Sequence, residues 1–248
     1  MTPAVPSSPH TAQSIAALID HTILKPEATR QDVARLCQEA LTFGFASVCV
    51  NPVFTPQVSE LLRGSPVKSC AVVGFPLGAN QTAVKLFEAQ SALRDGAHEL
   101  DMVIHVGALK IADDPSVSAD IRAICDAAHS ANAICKVIIE TCLLNEEEKV
   151  RACRLSATAG ADFVKTSTGF NSAGATAADV TLMRTVVGPN IGVKASGGIR
   201  SLDDLLKMLD AGATRIGSSN GTKIVEEARA RFAPQGKEGS CSGGDSFF

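Results

Sequence analysis

Two lysines give the first indication of chemistry in this sequence. Lys165 follows Phe163 and Val164 in GADFVKTSTGF, and Lys194 follows Val193 in IGVKASGG. Lysine is rarely buried without a partner, so a lysine at the end of an apolar run needs a specific reason. If the two runs are neighbouring strands, about 4.7–4.9 Å apart, the two ammonium groups can be held at ~6 Å.

Electrostatics predict that two such lysines are not both charged. At an effective dielectric of about 20, like charges ~6 Å apart repel by about 2.8 kcal/mol, which corresponds to a pKa change of ~2. Desolvation acts in the same direction, so one amine should be neutral at about pH 7 and able to form an imine with a carbonyl compound. Lys165 is the candidate nucleophile and Lys194 its charged neighbour. The alternative is that both lysines reach the surface or form structural ion pairs.

A carboxylate is expected beside these lysines. Asp101 follows Leu100 in HELDMVI, and strands four and six of an eight-stranded barrel would contribute to the same layer of side chains. As a carboxylate, Asp101 could hold Lys194 charged and move protons through a water molecule, or it could be a purely structural ion-pair partner. Lys136 and Glu140 in CKVIIE share one face of a strand and could extend the polar group, although a surface position for Lys136 is equally open.

Two glycine-rich turns predict an anion site. KASGGIRSLDD and RIGSSNG would follow strands seven and eight, where backbone N–H groups and a helix N-terminus form the usual phosphate site of a barrel. Either turn alone could be purely conformational, but together and beside two lysines they indicate a phosphorylated carbonyl compound. Asp20 is also a candidate binding residue, although it could instead cap the following turn. The candidate substrate- and phosphate-binding residues are Thr168, Gly169, Gly197, Gly198, Gly217, Ser218, Ser219 and Asp20.

Eight short apolar runs provide the predicted strands that position these residues. Their near-continuous apolarity is typical of parallel strands covered by helices on both faces. The runs are 15–19, 46–50, 68–74, 98–104, 135–140, 162–167, 191–196 and 214–219.

Amphipathic segments between the runs predict helices with recognisable ends. Capping-box patterns begin three of them, at Thr29, Asn145 and Ser201. Four glycines are placed to end helices just before a strand. They are Gly44, Gly96, Gly160 and Gly212.

Eight such βα units predict an α/β fold, a single-domain (β/α)₈ TIM barrel. The catalytic domain would span 13–232, between flexible segments at 1–12 and 233–248. Phe247 and Phe248 at the end of the tail are either inert or fold over the site as a lid. A doubly wound open sheet is the structural alternative, but no G-x-G-x-x-G opens a helix.

Composition excludes several other classes of protein. A hydrophobic fraction of 45% argues against disorder, and a net charge of −3 without a basic run argues against nucleic-acid binding. No apolar run approaches the ~18 residues of a membrane span, and no secretory leader is apparent, so a cytoplasmic location is expected. The eight cysteines form no C-x-x-C pair and the five histidines show no ligand spacing, so we expect neither a metal nor another cofactor.

Seven motifs, in order, resemble the signature set of the deoxyribose-phosphate aldolase family. By this resemblance, Lys165 matches the Schiff-base lysine, Lys194 the lysine that lowers its pKa, and Asp101 the proton-relay carboxylate. Members of the family are metal-free class I aldolases built on a barrel. The motifs are IDHTILKP (19–26), VCVNP (48–52), ELDMVIHVGALK (99–110), KVIIET (136–141), FVKTSTGF (163–170), VKASGGIR (193–200) and RIGSS (215–219).

The resemblance implies a reaction and partners. The reaction would be the reversible cleavage of 2-deoxy-D-ribose 5-phosphate to D-glyceraldehyde 3-phosphate and acetaldehyde, in deoxyribonucleotide catabolism. Small phosphorylated sugars and aldehydes would be the ligands, and the chain would form a homodimer or homotetramer. The sequence departs from the family pattern at His105 and Asn220, and it contains no tyrosine.

Three other functions remain open at this point. The chain could be a class I aldolase for another phosphorylated sugar. It could also be a sugar-phosphate isomerase with Glu140 as base, or a catalytically silent binder of phosphorylated ligands.

Overall fold

A computed structural model describes residues 10–233 as a closed barrel of eight parallel strands in sequence order. Each strand pairs with the next along the chain, and β8 pairs with β1. The predicted (β/α)₈ barrel is therefore confirmed, and the open doubly wound sheet is excluded. The strands are β1 (Ile19–Ile23), β2 (Ser47–Val50), β3 (Lys68–Val73), β4 (Glu99–Val103), β5 (Ile134–Ile138), β6 (Phe163–Lys165), β7 (Gly192–Ser196) and β8 (Arg215–Ser218).

Helices surround the barrel and connect its strands. Short 3₁₀ turns at Pro52–Phe54 and Thr141–Leu143 follow β2 and β5. The α-helices are α1 (Ala12–Ala16), α2 (Arg30–Phe43), α3 (Thr55–Leu61), α4 (Thr82–Arg94), α5 (Val106–Lys110), α6 (Asp114–Ser130), α7 (Glu146–Thr158), α8 (Ala177–Val187), α9 (Leu202–Asp210) and α10 (Gly221–Arg231).

The first predicted strand is wrong by four residues. The apolar run 15–19 begins in the last two residues of α1, crosses the turn at Ala17 and Leu18, and reaches the strand only at Ile19. The helix itself begins with a capping box between Thr11 and Ser14. The strand was missed because Asp20 and His21 are polar and yet fully buried in it. The cost of burying Asp20 is offset by ion pairs to Lys194 and Arg215, and that of burying His21 by a hydrogen bond to Glu39, and the local sequence does not show these partners.

The predicted helix ends are confirmed. Capping boxes form at Thr29, Asn145 and Ser201. The four glycines predicted to end helices all have positive φ, between 71° at Gly44 and 106° at Gly212. Local chain chemistry therefore fixes where these βα units turn.

The main apolar core lies between the strands and the helices rather than inside the barrel. On β4, for example, Leu100 and Met102 belong to this core, while Glu99 and Asp101 alternate with them and form ion pairs inside the barrel. This period of two separates an apolar outer layer from a charged interior. The site is therefore built on the inward-facing positions of the strands.

The predicted flexible ends lie mostly outside residues 10–233, as do Phe247, Phe248 and Cys241. At the N-terminal side, Thr11 already caps α1, so the folded part begins slightly before residue 13. Among the helices of the described residues, none is both long and apolar enough to cross a membrane.

Candidate active site

Asp101 lies at the centre of a buried group of ion pairs inside the barrel. Its Oδ2 is 2.7 Å from Lys165 Nζ and 2.6 Å from Lys194 Nζ, and its Oδ1 is 2.7 Å from Lys136 Nζ. Register explains the arrangement: Lys165 is paired with Lys194 across β6 and β7, and Asp101 with Lys136 across β4 and β5. The three residues predicted for catalysis thus meet at one carboxylate oxygen.

A second set of ion pairs supports this group from within the barrel. Arg215 Nη1 is 2.7 Å from Asp20 Oδ1 and 3.3 Å from Glu99, and Lys136 Nζ is 2.6 Å from Glu99 Oε2. Lys194 also pairs with Asp20. Of these residues Lys194 and Asp20 were predicted to belong to a site, Lys136 was left open, and Glu99 and Arg215 were not predicted.

Asp20 does not occupy the predicted place among the substrate- and phosphate-binding residues. It is the second residue of β1, fully buried, and it accepts a hydrogen bond of 2.7 Å from Ser47. It is not among the residues lining the cavity described below. Its position follows from the later start of β1, which places Asp20 inside the barrel instead of in a loop.

The charges of this group reinforce one another. Burial alone would raise the pKa of the Asp101 carboxyl, but Lys136, Lys165 and Lys194 hold that pKa well below its usual range. Burial would likewise lower the pKa of Lys194, but the carboxylates of Asp101 and Asp20 raise it above its usual range. Asp101 is therefore ionised and Lys194 protonated at neutral pH.

A cavity of about 900 Å³ opens above these ion pairs at the carboxyl ends of the strands. Lys165 and Lys194 both line it, and both are almost fully buried. Seven of the eight predicted substrate- and phosphate-binding residues also line it, all except Asp20. Arg200, Ser196 and Asn220 line the same cavity and were not predicted as site residues.

The loops after β7 and β8 form one end of this cavity. Gly197 and Gly198 have φ of 85° and 82°, a conformation that side chains with a Cβ rarely adopt. Ser218 Oγ donates to the Ile199 carbonyl at 2.8 Å and accepts from the Asn220 N–H, so this hydroxyl mainly shapes the loop. Ser219 is exposed at the cavity.

Gly217 has a steric role that the sequence did not reveal. A Cβ on this residue would lie 2.9 Å from Ser196 Cβ and 3.2 Å from Lys194 Cε. The missing side chain therefore leaves the space that the Lys194 side chain needs. A substitution at Gly217 would displace the Lys194 side chain before it affected the binding of a ligand.

Thr168 is less free to bind a ligand than predicted. Its hydroxyl donates to Glu140 Oε2 at 2.5 Å, and its N–H donates to Glu140 Oε1 at 3.2 Å. The same hydroxyl oxygen accepts from the Phe170 N–H at 3.1 Å. Gly169 lies between Thr168 and Phe170 in the chain and is exposed to the cavity.

Within residues 10–233, one group of side chains has the donor types of a metal site. Cys49, Cys70 and Asp101 present their donor atoms within 4.8 Å of one another. Lys136 Nζ, however, lies 3.3 Å from Cys70 Sγ and 2.7 Å from Asp101 Oδ1, so an ammonium group already holds the position of a cation. Burial raises the pKa of the Cys70 thiol well above its usual value, which further disfavours a thiolate ligand.

The missed residues had a signal in the sequence. Glu99 and Arg215, which were missed, and Lys136, which was left open, are charged residues inside otherwise apolar runs. Each lies an even number of positions from another inward-facing residue on its strand. That spacing places them on the interior face of the barrel. Only the closed barrel shows that they meet.

Comparisons with known proteins agree with this geometry. The profile of the DeoC/LacD family aldolases matches residues 14–243. A deoxyribose-phosphate aldolase of Lysinibacillus sphaericus is 59% identical over 213 residues, which is 86% of this chain and 95% of the relative. A relative of the same name from Listeria monocytogenes is 58% identical over 212 residues, covering 86% and 95% of the two chains.

The chain belongs to the DeoC/LacD family of aldolases. Solved structures support this membership. Deoxyribose phosphate aldolase from Aeropyrum pernix, described as a unique tetrameric structure, has a TM-score of 0.84 and 39% identity, covering 89% of this chain and 93% of its own. An aldolase called QR15 has a TM-score of 0.83 and 41% identity, covering 88% and 96%.

Proposed function

We propose that this chain is a class I aldolase that reversibly cleaves 2-deoxy-D-ribose 5-phosphate to D-glyceraldehyde 3-phosphate and acetaldehyde. The observation that carries the proposal is the position of Lys165, which lines the cavity while its Nζ lies 2.7 Å from an Asp101 oxygen shared with Lys194. Family membership supports the reaction class. The corresponding biological role is the degradation of deoxyribonucleotides.

The ion pairs of the buried group favour Lys165 as the reacting amine. The buried group contains four cations, Lys136, Lys165, Lys194 and Arg215, and three carboxylates, Asp20, Glu99 and Asp101. One cation is therefore in excess, and loss of one proton makes the group neutral. Among the ion pairs of residues 10–233, Lys165 has one carboxylate partner, whereas Lys194 has two and Lys136 three. Lys165 is therefore the lysine of the group with the fewest carboxylate partners, and it also lines the cavity.

The bond that breaks follows from the products, because acetaldehyde carries two carbons. The neutral amine of Lys165 attacks C1 of the open-chain aldehyde, and loss of water leaves a protonated imine. The C3 hydroxyl then gives its proton to a base while the C2–C3 electron pair moves to C1–C2, forming an enamine and releasing glyceraldehyde 3-phosphate. Protonation of C2 and hydrolysis of the imine release acetaldehyde and restore the free amine.

Asp101 is proposed to accept the C3 hydroxyl proton through a water molecule. In the resting site its Oδ2 accepts from both Lys165 and Lys194. An imine nitrogen keeps at most one hydrogen, so its formation frees acceptor capacity on Oδ2 for a water. Lys194 stays charged beside it and stabilises the negative charge that develops during proton transfer.

The phosphate group is proposed to bind at the loops after β6, β7 and β8. Gly169, Gly197, Gly198 and Ser219 line this end of the cavity, and Arg200 adds a positive charge. The N-terminus of α9, capped at Ser201, follows the β7 loop. Exposed backbone N–H groups near a helix N-terminus favour a dianion.

Borohydride trapping tests the proposal directly. We expect acetaldehyde with borohydride to add a stable ethyl group to the side chain of Lys165, located by mass spectrometry of proteolytic fragments. A Lys165→Met variant should give no adduct and no cleavage. Unmodified Lys165 in an enzyme that turns over its substrate would contradict the imine mechanism.

The alternative functions make different predictions. An isomerase with Glu140 as base is less well supported, because both carboxylate oxygens of Glu140 are engaged by Thr168 and the residue does not line the cavity. A panel of sugar phosphates separates this aldolase from one with another substrate. A silent binder would be stabilised by the sugar phosphate without any turnover.

Homo-oligomers and a cytoplasmic location are also proposed. The Aeropyrum pernix relative is described as tetrameric. Val53, Leu77 and Phe87 are exposed apolar side chains, which are often covered in assemblies. The seven described cysteines are all free, which suits a reducing compartment. Light scattering of the purified protein and fractionation of cells test these two proposals.

A further inference from the structure

Glu140 has a backbone conformation that calls for an explanation. It follows β5 with φ 55° and ψ 66°, the left-handed region that residues other than glycine rarely occupy. Its side chain is buried, and no ion pair to a cation is found for it among residues 10–233. A strained backbone and a buried carboxylate are both costly, so the surrounding structure must compensate.

The compensation comes from the loop that follows β6. The N–H groups on either side of Glu140 donate to this segment: Ile139 N–H to the Lys165 carbonyl at 3.0 Å, and Thr141 N–H to the Thr166 carbonyl at 2.9 Å. The carboxylate of Glu140 then accepts both the N–H and the O–H of Thr168. The left-handed turn thus brings the end of β5 against the four residues that begin with Lys165.

Thr168 passes this constraint to the wall of the cavity. Its hydroxyl oxygen accepts from the Phe170 N–H at 3.1 Å, which closes a tight turn around Gly169. The Phe170 ring packs edge-on against Phe75, with 5.3 Å between the ring centroids. Gly169, with φ of 84°, lies close against Gly197 of the β7 loop, since a Cβ on Gly169 would be 3.9 Å from Gly197 Cα, and both glycines line the cavity where the phosphate is proposed to bind.

We propose that Glu140 is a positioning residue that selects for the phosphate of the substrate by fixing Thr168 and, through it, the turn at Gly169. The proposal rests on the proposed aldolase function. Glu140 does not line the cavity, and its oxygens are engaged by Thr168, so it acts through Thr168 and not on the reacting atoms. A charged acceptor holds the Thr168 hydroxyl and N–H in one orientation, because charge-assisted hydrogen bonds are stronger than neutral ones.

The test compares a phosphorylated substrate with an unphosphorylated one. Steady-state kinetics are measured with 2-deoxyribose 5-phosphate and with 2-deoxyribose, for wild type and for Glu140→Ala and Thr168→Val. We expect both variants to raise KM for the phosphorylated substrate by about tenfold. In Glu140→Ala, whose side chain lies outside the cavity, kcat and the kinetics on 2-deoxyribose should change by less than about twofold. The ratio of the two kcat/KM values should therefore fall by about tenfold.

Conservative variants separate positioning from a general structural effect. Thr168→Ser keeps the hydroxyl and should restore the ratio. Glu140→Gln keeps one acceptor oxygen and should give an intermediate ratio. The double variant Glu140→Ala/Thr168→Val should be no worse than either single variant, because both remove the same contact. Glu60→Ala, which removes the carboxylate of an exposed ion pair with Arg63, is the matched control and should leave the ratio unchanged.

Three results would overturn the proposal: equal losses with both substrates, a loss confined to kcat, or additive losses in the double variant. If Glu140→Ala does not fold, Glu140→Gln and Thr168→Val still decide the question. Borohydride trapping of acetaldehyde on Lys165 is run on every variant. An adduct with an unchanged substrate ratio contradicts only the role of Glu140, whereas no adduct in wild type contradicts the proposed function itself.

Discussion

At the scale of single residues, the reactivity of Lys165 depends on its neighbours more than on its burial. Lys194 and Lys165 share one oxygen of Asp101, so each competes with the other for that negative charge. The repulsion between Lys165 and Lys194, which the sequence predicts, is therefore only one of the interactions that determine the reactivity of Lys165. The excess of one cation over the carboxylates makes a neutral amine possible in a site that also contains three acids.

Removing the positive charge of Lys194 should make Lys165 harder to deprotonate. In Lys194→Met, Asp101 Oδ2 keeps Lys165 as its cation, and the excess positive charge disappears. We expect kcat/KM for cleavage to fall by at least about 100-fold at neutral pH and the acid limb of the pH–rate profile to move to higher pH. Steady-state rates measured across pH check both effects.

Lys149→Met is the matched control for this prediction. Lys149 forms an ion pair of 2.5 Å with Asp179 on the outer helices, away from the cavity. The pH–rate profile of Lys149→Met should keep the wild-type shape. A Lys194→Met profile with the same acid limb as wild type would show that Lys194 does not control the protonation of Lys165.

At the scale of the elements, a second buried ion pair holds the carboxyl end of β4. Lys85 of α4 is fully buried, and its Nζ lies 2.6 Å from Asp120 Oδ2 of α6 and 2.9 Å from the Val103 carbonyl. Thr82 donates to the other oxygen of Asp120. The two helices are thereby fixed to the strand that carries Asp101.

Breaking this pair should destabilise the barrel strongly. Lys85→Met leaves Asp120 buried without its cation, and we expect the free energy of unfolding to fall by about 3–5 kcal/mol. Equilibrium unfolding in urea measures the change. The double variant Lys85→Met/Asp120→Leu should recover much of the loss, and removing the exposed Arg63–Glu60 pair should cost less than about 1 kcal/mol. Equal losses of unfolding free energy for the Lys85–Asp120 pair and the Arg63–Glu60 pair would mean that burial of an ion pair is unimportant for its contribution.

At the scale of the whole molecule, the ion pairs inside the barrel link stability to pH. The cations hold the pKa values of Asp20 and Asp101 below their usual range, so these carboxyls stabilise the fold above an unfolded pKa of about 3.9 and lose that effect as pH falls through the folded values. The pKa values of Lys136 and Lys194 are raised by the same carboxylates. Their contribution is complete below an unfolded pKa of about 10.4 and is lost as pH rises through the folded values.

Stability should therefore be nearly constant between these limits. We expect the urea midpoint to stay flat from about pH 5 to about pH 9 and to fall below about pH 4. Asp101→Asn should be less stable than wild type at neutral pH and should lose less stability on acidification, since one depressed carboxyl is missing. An acid dependence as steep in Asp101→Asn as in wild type would argue against this linkage.

The sequence alone determined the number and type of most elements. Near-continuous apolar runs, amphipathic helical patterns, capping boxes such as that at Asn145, and glycines such as Gly44 depend on residues close together in the chain, so they can be recognised without the fold. The candidate lysines could be recognised for the same reason: a lysine that ends a buried strand conflicts with its local surroundings. Residue types thus indicated the chemistry and the end of the barrel where it would occur.

The tertiary structure decided which charges meet. Lys165 and Asp101 are 64 positions apart and Arg215 and Asp20 are 195 apart, and only strand register and closure of the barrel bring them into contact. The same long-range pairing explains why the start of β1 was predicted wrongly. It also explains why the Thr168 hydroxyl donates to Glu140 and is less free to bind a ligand. Burying a charge is favourable only when its partner is present, and that partner comes from another part of the chain.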